Sequence, residues 1–152
     1  MDRVLAIGLA HDQLSFKTNG STVNMHDYLN ALCANIDPHR PQVLIKVDVD
    51  AASIPLDRAV PIGLIVNELV TNSIKYAFDE EGGTISLALH VDEAIGEAEL
   101  SVGDNGRGMS DARPGAFGLR LVESLAGQLG GKLTREDVPK GTLVRLQFPY
   151  SV

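Results

Sequence analysis

The stretch from Ile62 to Ala77, read in one-letter code as IGLIVNELVTNSIKYA, constrains this chain more than any other. Ile62, Ile65, Leu69 and Ile74 recur near helical spacing, which predicts a helix with a buried stripe. Glu68, Asn72 and Tyr76 follow at i, i+4 steps and stack along a second stripe, with Lys75 at its edge. An acid, an amide and a cation on a largely apolar helix are costly if simply buried. Such a stripe either meets water or lines a site.

The flanking chain alternates between helical and strand periods. Residues 2–16 read as a short helix with Val4, Leu5, Leu9, Leu14 and Phe16 on its apolar side. His11 reads as an ordinary helix-face histidine, because no further catalytic group accompanies it beyond Asp12. Lys17 to Ser21 reads as a turn around Asn19-Gly20. Asn24 is placed to cap a second helix, which turns Tyr28, Leu29, Leu32, Cys33 and Ile36 inward and ends at Asp37-Pro38. Val43 to Val49 alternates as a half-buried strand, and Ala51 to Pro55 reads as a connector. The central helix follows from Leu56 to Ala77, with Pro61 starting a fresh segment. Ile85 to Val91 and Ala98 to Val102 read as two antiparallel strands joined by a loop over Asp92 to Gly96. Phe117 to Leu129 is a helix with Leu119, Val122, Leu125 and Leu129 inward, ended by Gly130-Gly131. Lys132 to Glu136 and Val144 to Phe148 complete the strands, with a turn at Pro139-Lys140-Gly141. The pattern implies an α+β domain with helices on one face of a mostly antiparallel sheet.

Composition narrows the function. At 152 residues and 44% hydrophobic, the chain has the size of one domain with a real core. A formal net charge of −7 argues against nucleic acid as the main partner. The single cysteine, Cys33, reads as a buried reduced thiol, which suits a reducing compartment. No apolar run reaches the length of a membrane span, and no leader opens the chain. The expectation is a soluble, cytoplasmic piece, whose parent protein is either soluble or membrane-anchored.

Three glycine-bearing clusters remain. Gly103-Asp104-Asn105-Gly106-Arg107-Gly108 follows a strand directly, so its backbone can approach a flat ligand while Asp104 accepts from an exocyclic amine. Taken alone it also reads as a tight Asn-Gly turn, or more weakly as an incomplete calcium loop. Gly115-Ala116-Phe117-Gly118-Leu119-Arg120 opens a helix, where backbone N–H groups and the dipole favour an anion. The glycine spacing fits neither a P-loop nor a Rossmann fingerprint. Gly141-Thr142, before the last strand, is weak by itself.

Their order is more specific than any one of them. An Asn-bearing helix, Asp-x-Gly-x-Gly after a strand, Gly-x-x-Gly-Leu opening a helix and Gly-Thr before a terminal strand resemble the ATP-binding domain of the GHKL superfamily. This is the Bergerat fold shared by gyrase, Hsp90, MutL and the histidine kinases, and the resemblance covers residues 40–150. Asn67 to Ala77 and the Phe-Gly-Leu-Arg-Leu-Val run look like sensor histidine kinases of the HWE type or a closely related class. Arg3 to Leu14, with Ala10-His11-Asp12-Gln13-Leu14, is similar to the second helix of their dimerisation and phosphoacceptor region.

The resemblance implies a two-layer α/β sandwich over residues 37–152, preceded by part of a helical dimerisation region over 1–36. It implies ATP and Mg²⁺ as ligands. Asn72 would coordinate Mg²⁺, and Asp104 would bind the adenine amine, with Gly106 and Gly108 letting the backbone close on the base. Lys75 and Tyr76 would lie near phosphates or ribose, Gly118 and Leu119 would face the phosphates, and Thr142 would support the adenine end. Glu68 stands where ATPases of the superfamily keep a base, and would polarise a histidine or a water. The His-Arg-x-x-Asn-Asn-like acceptor motif is not in this sequence, so the acceptor histidine is expected on a phosphoacceptor helix of a larger, dimeric parent kinase. A response regulator would then receive the phosphoryl group. The alternatives are a serine protein kinase of the anti-sigma type, a degenerate interaction module, and a water-splitting ATPase.

Overall fold

The computed structural model describes residues 3–12, 14–17, 20–36, 41–106, 116–137 and 140–150. In chain order these form α1 (Arg3–Asp12), β1 (Leu14–Lys17), β2 (Gly20–Asn24), α2 (Met25–Asn35), β3 (Val43–Val49), β4 (Ser53–Pro55) and α3 (Leu56–Tyr76). They continue as β5 (Gly83–Asp92), β6 (Glu97–Asp104), α4 (Ala116–Gln128), β7 (Lys132–Asp137) and β8 (Thr142–Pro149).

A five-stranded sheet runs in the order β3-β5-β6-β8-β7. Only the β3–β5 pair is parallel. A parallel pair needs a crossover, and α3 lies in that connection. The strand alternation expected from the sequence sets the faces: Ile85, Leu87, Leu89, Leu100, Val102, Leu146 and Phe148 are buried under the helices. The opposite face carries polar groups such as Arg145, which lies 3.5 Å from Glu99 and 3.9 Å from Glu136. The expected α+β sandwich is therefore the observed architecture.

Helix α3 is the hub. Ile62, Ile65, Val66, Leu69 and Val70 are buried, as the apolar stripe predicts. The helix runs unbroken through Pro61, whereas the sequence suggested a fresh start there. The ring is buried near the helix start, and packing outweighs the single backbone bond that proline forgoes. Arg58 ties the first turn of α3 to the far end of the core, donating to the carbonyls of Leu129 at 2.8 Å and Pro149 at 3.2 Å. Asn24 caps α2 as expected, its side chain accepting from the Asp27 N–H at 3.2 Å. Tyr28, Leu29, Leu32, Cys33 and Ile36 are all buried. Burial pushes the Cys33 thiol up to about 12, which leaves it an inert packing group.

The described residues before Asn24 depart from expectation. The helix stops at Asp12, and Leu14–Lys17 instead pairs antiparallel with Gly20–Asn24. The supposed connector Ser53–Pro55 pairs with β2, making a second sheet in the order β1-β2-β4. Four-residue runs carry too little periodicity to separate the two states, and their partners are distant in sequence. The buried side of α1 is also different. Ala6 and Ala10 are fully buried, Leu9 is half-buried, and Val4, Leu5 and Ile7 are exposed. Small residues let α1 approach α3 closely, and the hydroxyl of Tyr28 donates to the Ala6 carbonyl at 2.9 Å in the same contact. Among the described residues no helix is long and apolar enough to cross a membrane.

Gly63 permits the approach of α2 to α3, because a Cβ there would strike the Tyr28 hydroxyl and ring. Gly127, on the outer side of α4, has nothing within 4 Å of a Cβ. In an open helical position Gly→Ala stabilises by roughly 1 kcal/mol, whereas overpacking costs about 1–3 kcal/mol. Gly127→Ala is therefore expected to raise the denaturation midpoint, and Gly63→Ala to lower it. A stabilising Gly63→Ala would contradict the described α2–α3 contact.

Candidate functional site

The last third of α3 meets the end of β6 and the start of β8. Register does the assembling: Asp104, the final residue of β6, lies directly opposite Thr142, the first of β8. Helix α3 lies across this junction and brings Asn72 and Ser73 to it. Together Leu69, Asn72, Ser73, Ala77, Val102, Asp104, Thr142 and Val144 line a narrow cleft. Its walls are apolar and its polar groups few, the usual composition of a small-molecule site.

Both oxygens of Asp104 are held. Oδ1 accepts from the Gly106 N–H at 3.0 Å, and Oδ2 accepts from the Ser73 hydroxyl at 3.1 Å. A carboxylate with one protein donor on each oxygen still has lone pairs for an amine arriving from the cleft. Two other polar atoms in the lining lack protein partners: Thr142 Oγ1 and Asn72 Nδ2 are buried without a hydrogen bond. An unmade bond of this kind costs on the order of 1–3 kcal/mol each. Two such atoms in one cleft are left for water or a ligand to complete.

Glycines allow the backbones to come this close. A Cβ at Gly106 would collide with the Ala77 carbonyl, so the chain leaving β6 could not lie against the end of α3. Gly141 sits at φ +110, and a Cβ there would strike the Asp104 carbonyl just as β8 begins. The otherwise unremarkable Gly-Thr pair is thus required by the register. Asn105 is not the centre of a hairpin turn. Its N–H donates to the Thr84 carbonyl at 3.2 Å and its side-chain oxygen accepts from the Thr84 N–H at 2.8 Å, anchoring the loop to β5.

Of the residues expected from the sequence, Asn72, Asp104 and Thr142 come together in the lining, with Gly106 directly behind Asp104. Lys75 is exposed and Tyr76 half-buried, and neither is in the described lining. Gly118 and Leu119 lie in the first turns of α4. Gly108, with Arg107, lies outside the described residues. Glu68 points elsewhere: its Oε1 receives the Arg3 Nε at 2.7 Å, joining α3 to α1. That hydrogen bond, and then the carboxylate charge, push the Arg3 guanidinium further up. His11 is exposed, as a helix-face histidine would be. Ser73 is the residue the sequence did not single out. The available signal was a hydroxyl beside Asn72, one position off the apolar stripe.

The family described as "Histidine kinase-, DNA gyrase B-, and HSP90-like ATPase" matches residues 57–152, well over half of the sequence. The chain belongs to this family. Residues 1–38 match a second family, described as "Histidine kinase". The chain is similar to blue-light-activated histidine kinase 2 of Erythrobacter litoralis, at 28% identity over 98% of this chain and 46% of the relative. It is also similar to the sensor histidine kinase PdtaS of Mycobacterium tuberculosis, at 29% identity over 97% of this chain and 31% of the relative. This chain therefore spans less than half the length of either relative. Among solved structures, the histidine kinase domain of Erythrobacter litoralis EL346 superposes with a TM-score of 0.84 at 28% identity, covering 97% of this chain and 77% of that one. The HWE-type histidine kinase resemblance is borne out by both family matches.

Thr142 offers a test of the cleft independent of any ligand. Replacing its buried, unpartnered hydroxyl with the methyl of valine removes a desolvation cost, so Thr142→Val is expected to stabilise the free chain by about 1 kcal/mol. Chemical denaturation measures it. Destabilisation by a similar amount would mean that the hydroxyl is hydrogen-bonded within the fold.

Proposed function

We propose that this chain is the ATP-binding catalytic part of a two-component sensor histidine kinase, which binds Mg·ATP and donates the γ-phosphoryl to a histidine outside the chain. The supporting observation is the cleft at the β6–β8 register. There Asp104 is held by Ser73 and Gly106, facing the unpartnered Thr142 and Asn72. A purine with an exocyclic amine suits this set: the amine donates to Asp104, the ring lies between Leu69, Val102 and Val144, and Thr142 serves the ring edge. Asn72, one turn before the end of α3, is assigned to the phosphate end, its amide nitrogen donating to a phosphate oxygen.

The residues fit Mg²⁺ in the manner of phosphate-bound magnesium. The Asn72 amide oxygen would supply one hard ligand to it, beside phosphate oxygens and water. The ion, when bound, neutralises charge on the transferred group. Lys75, Tyr76, Gly108, Gly118 and Leu119 are assigned to the phosphate and ribose side. In this reading residues 1–36 derive from the dimerisation and phosphoacceptor region and 37–152 from the catalytic domain, although α2 shares one core with α3. The exposed Val4, Leu5 and Ile7 on α1 are consistent with a homodimeric parent. A response regulator is the onward acceptor, and the setting is cytoplasmic.

Calorimetric titration with ATP, with and without Mg²⁺, tests the assignment. Asp104→Ala is expected to abolish nucleotide binding, since a carboxylate that accepts from the base cannot be replaced by a methyl group. Asn72→Ala is expected to retain weak binding that no longer responds to Mg²⁺. Unchanged affinity in Asp104→Ala would show that the base binds elsewhere.

A further inference from the structure

The Glu68 carboxylate is unusually placed for a surface ion pair. Its side chain is only 14% exposed, on the same stripe of α3 as Asn72 and four residues before it. Four residues of α-helix span roughly 6 Å, so the acid stands one turn from the amide assigned to the phosphates. A carboxylate there can accept a proton from water beside the terminal phosphate. Arg3, itself half-exposed, competes for that carboxylate. Its Nε donates to Oε1 at 2.7 Å, a charge-assisted bond that occupies that oxygen and sets a positive charge beside the carboxylate. Arg3 is brought there by the close seat of α1, fixed by the buried Ala6 and Ala10 and by the Tyr28 hydroxyl on the Ala6 carbonyl.

We propose that Arg3 is a positioning residue that withholds Glu68 from water at the phosphate end of the cleft, so that bound ATP is kept for transfer to a side chain. The reaction it suppresses is hydrolysis. The oxygen of water bonds to the γ-phosphorus, and the bond from that phosphorus to the bridging oxygen breaks. ADP leaves with the electron pair, and the proton of the attacking water passes to a Glu68 carboxylate oxygen. Docking of α1 therefore serves the chemistry as well as the core. This inference rests on the nucleotide assignment above.

The test is inorganic phosphate release from Mg·ATP by the full chain, with Mg·ATP affinity measured in parallel by calorimetry. Arg3→Ala is expected to raise phosphate release by about a hundredfold, the lower end of a general-base contribution. Arg3→Gln, which keeps the side-chain bulk near α3, is expected to raise it too and covers the case of an unstable alanine variant. Arg3→Lys retains the charge and is expected to keep release low. Adding Glu68→Gln to Arg3→Ala is expected to cancel the increase. Unchanged release in Arg3→Ala and Arg3→Gln, with normal Mg·ATP binding, would overturn this proposal alone. So would an increase that survives in the double variant, because a loosened α1 would then be admitting water without help from Glu68. Absence of Mg·ATP binding in the unaltered chain would overturn the nucleotide assignment and this proposal with it.

Discussion

Helix α3 has to be the centre of a core and the wall of a cleft at once. Its apolar stripe is covered by α1, α2, α4 and the sheet, and burial of each large side chain is worth roughly 1.5–3 kcal/mol. That burial lets its C-terminal third carry groups that destabilise an ordinary interior. Asn72 presents an amide nitrogen without a partner, and Ser73 uses its hydroxyl to hold a carboxylate on another element. The same helix is the crossover that makes β3 and β5 parallel, so its position is set by topology before any polar group is considered.

Backbone geometry then fixes the site. The β6–β8 ladder puts Asp104 opposite Thr142, and a slip of one residue would turn Thr142 to the other face of the sheet. Gly141 and Gly106 matter because they are where a side chain would force the backbones apart. Asn105, bonded twice to Thr84, keeps the end of β6 from peeling away. The cleft is thus made by strand register and close backbone packing, and its few polar side chains are placed as a consequence.

Much of this was legible in the sequence because it is carried by long, strongly periodic segments. The strands around Leu87 and Leu100, the capped helix after Asn24, and the stripe on α3 follow from spacing alone. The order of the motifs puts Asn72, Asp104 and Thr142 in one site, and the fold brings them into one lining. What escaped has physical causes. The β1–β2 hairpin and β4 are too short to show a period, and their pairing is non-local. The buried face of α1 departs from its apolar stripe because close helix packing there favours Ala6 and Ala10 over larger neighbours. Ser73 and the Arg3–Glu68 pair depend on contacts 31 and 65 residues apart, which no local pattern encodes.

The most direct measurement is a crystal structure of the chain with Mg²⁺ and a non-hydrolysable ATP analogue. The base is expected in the cleft between Leu69, Val102 and Val144, its exocyclic amine about 3 Å from the Asp104 carboxylate. The Thr142 hydroxyl is expected to be partnered and the phosphates to lie at Asn72. A nucleotide bound elsewhere, with Asp104 still satisfied only by Ser73 and Gly106, would contradict the nucleotide assignment.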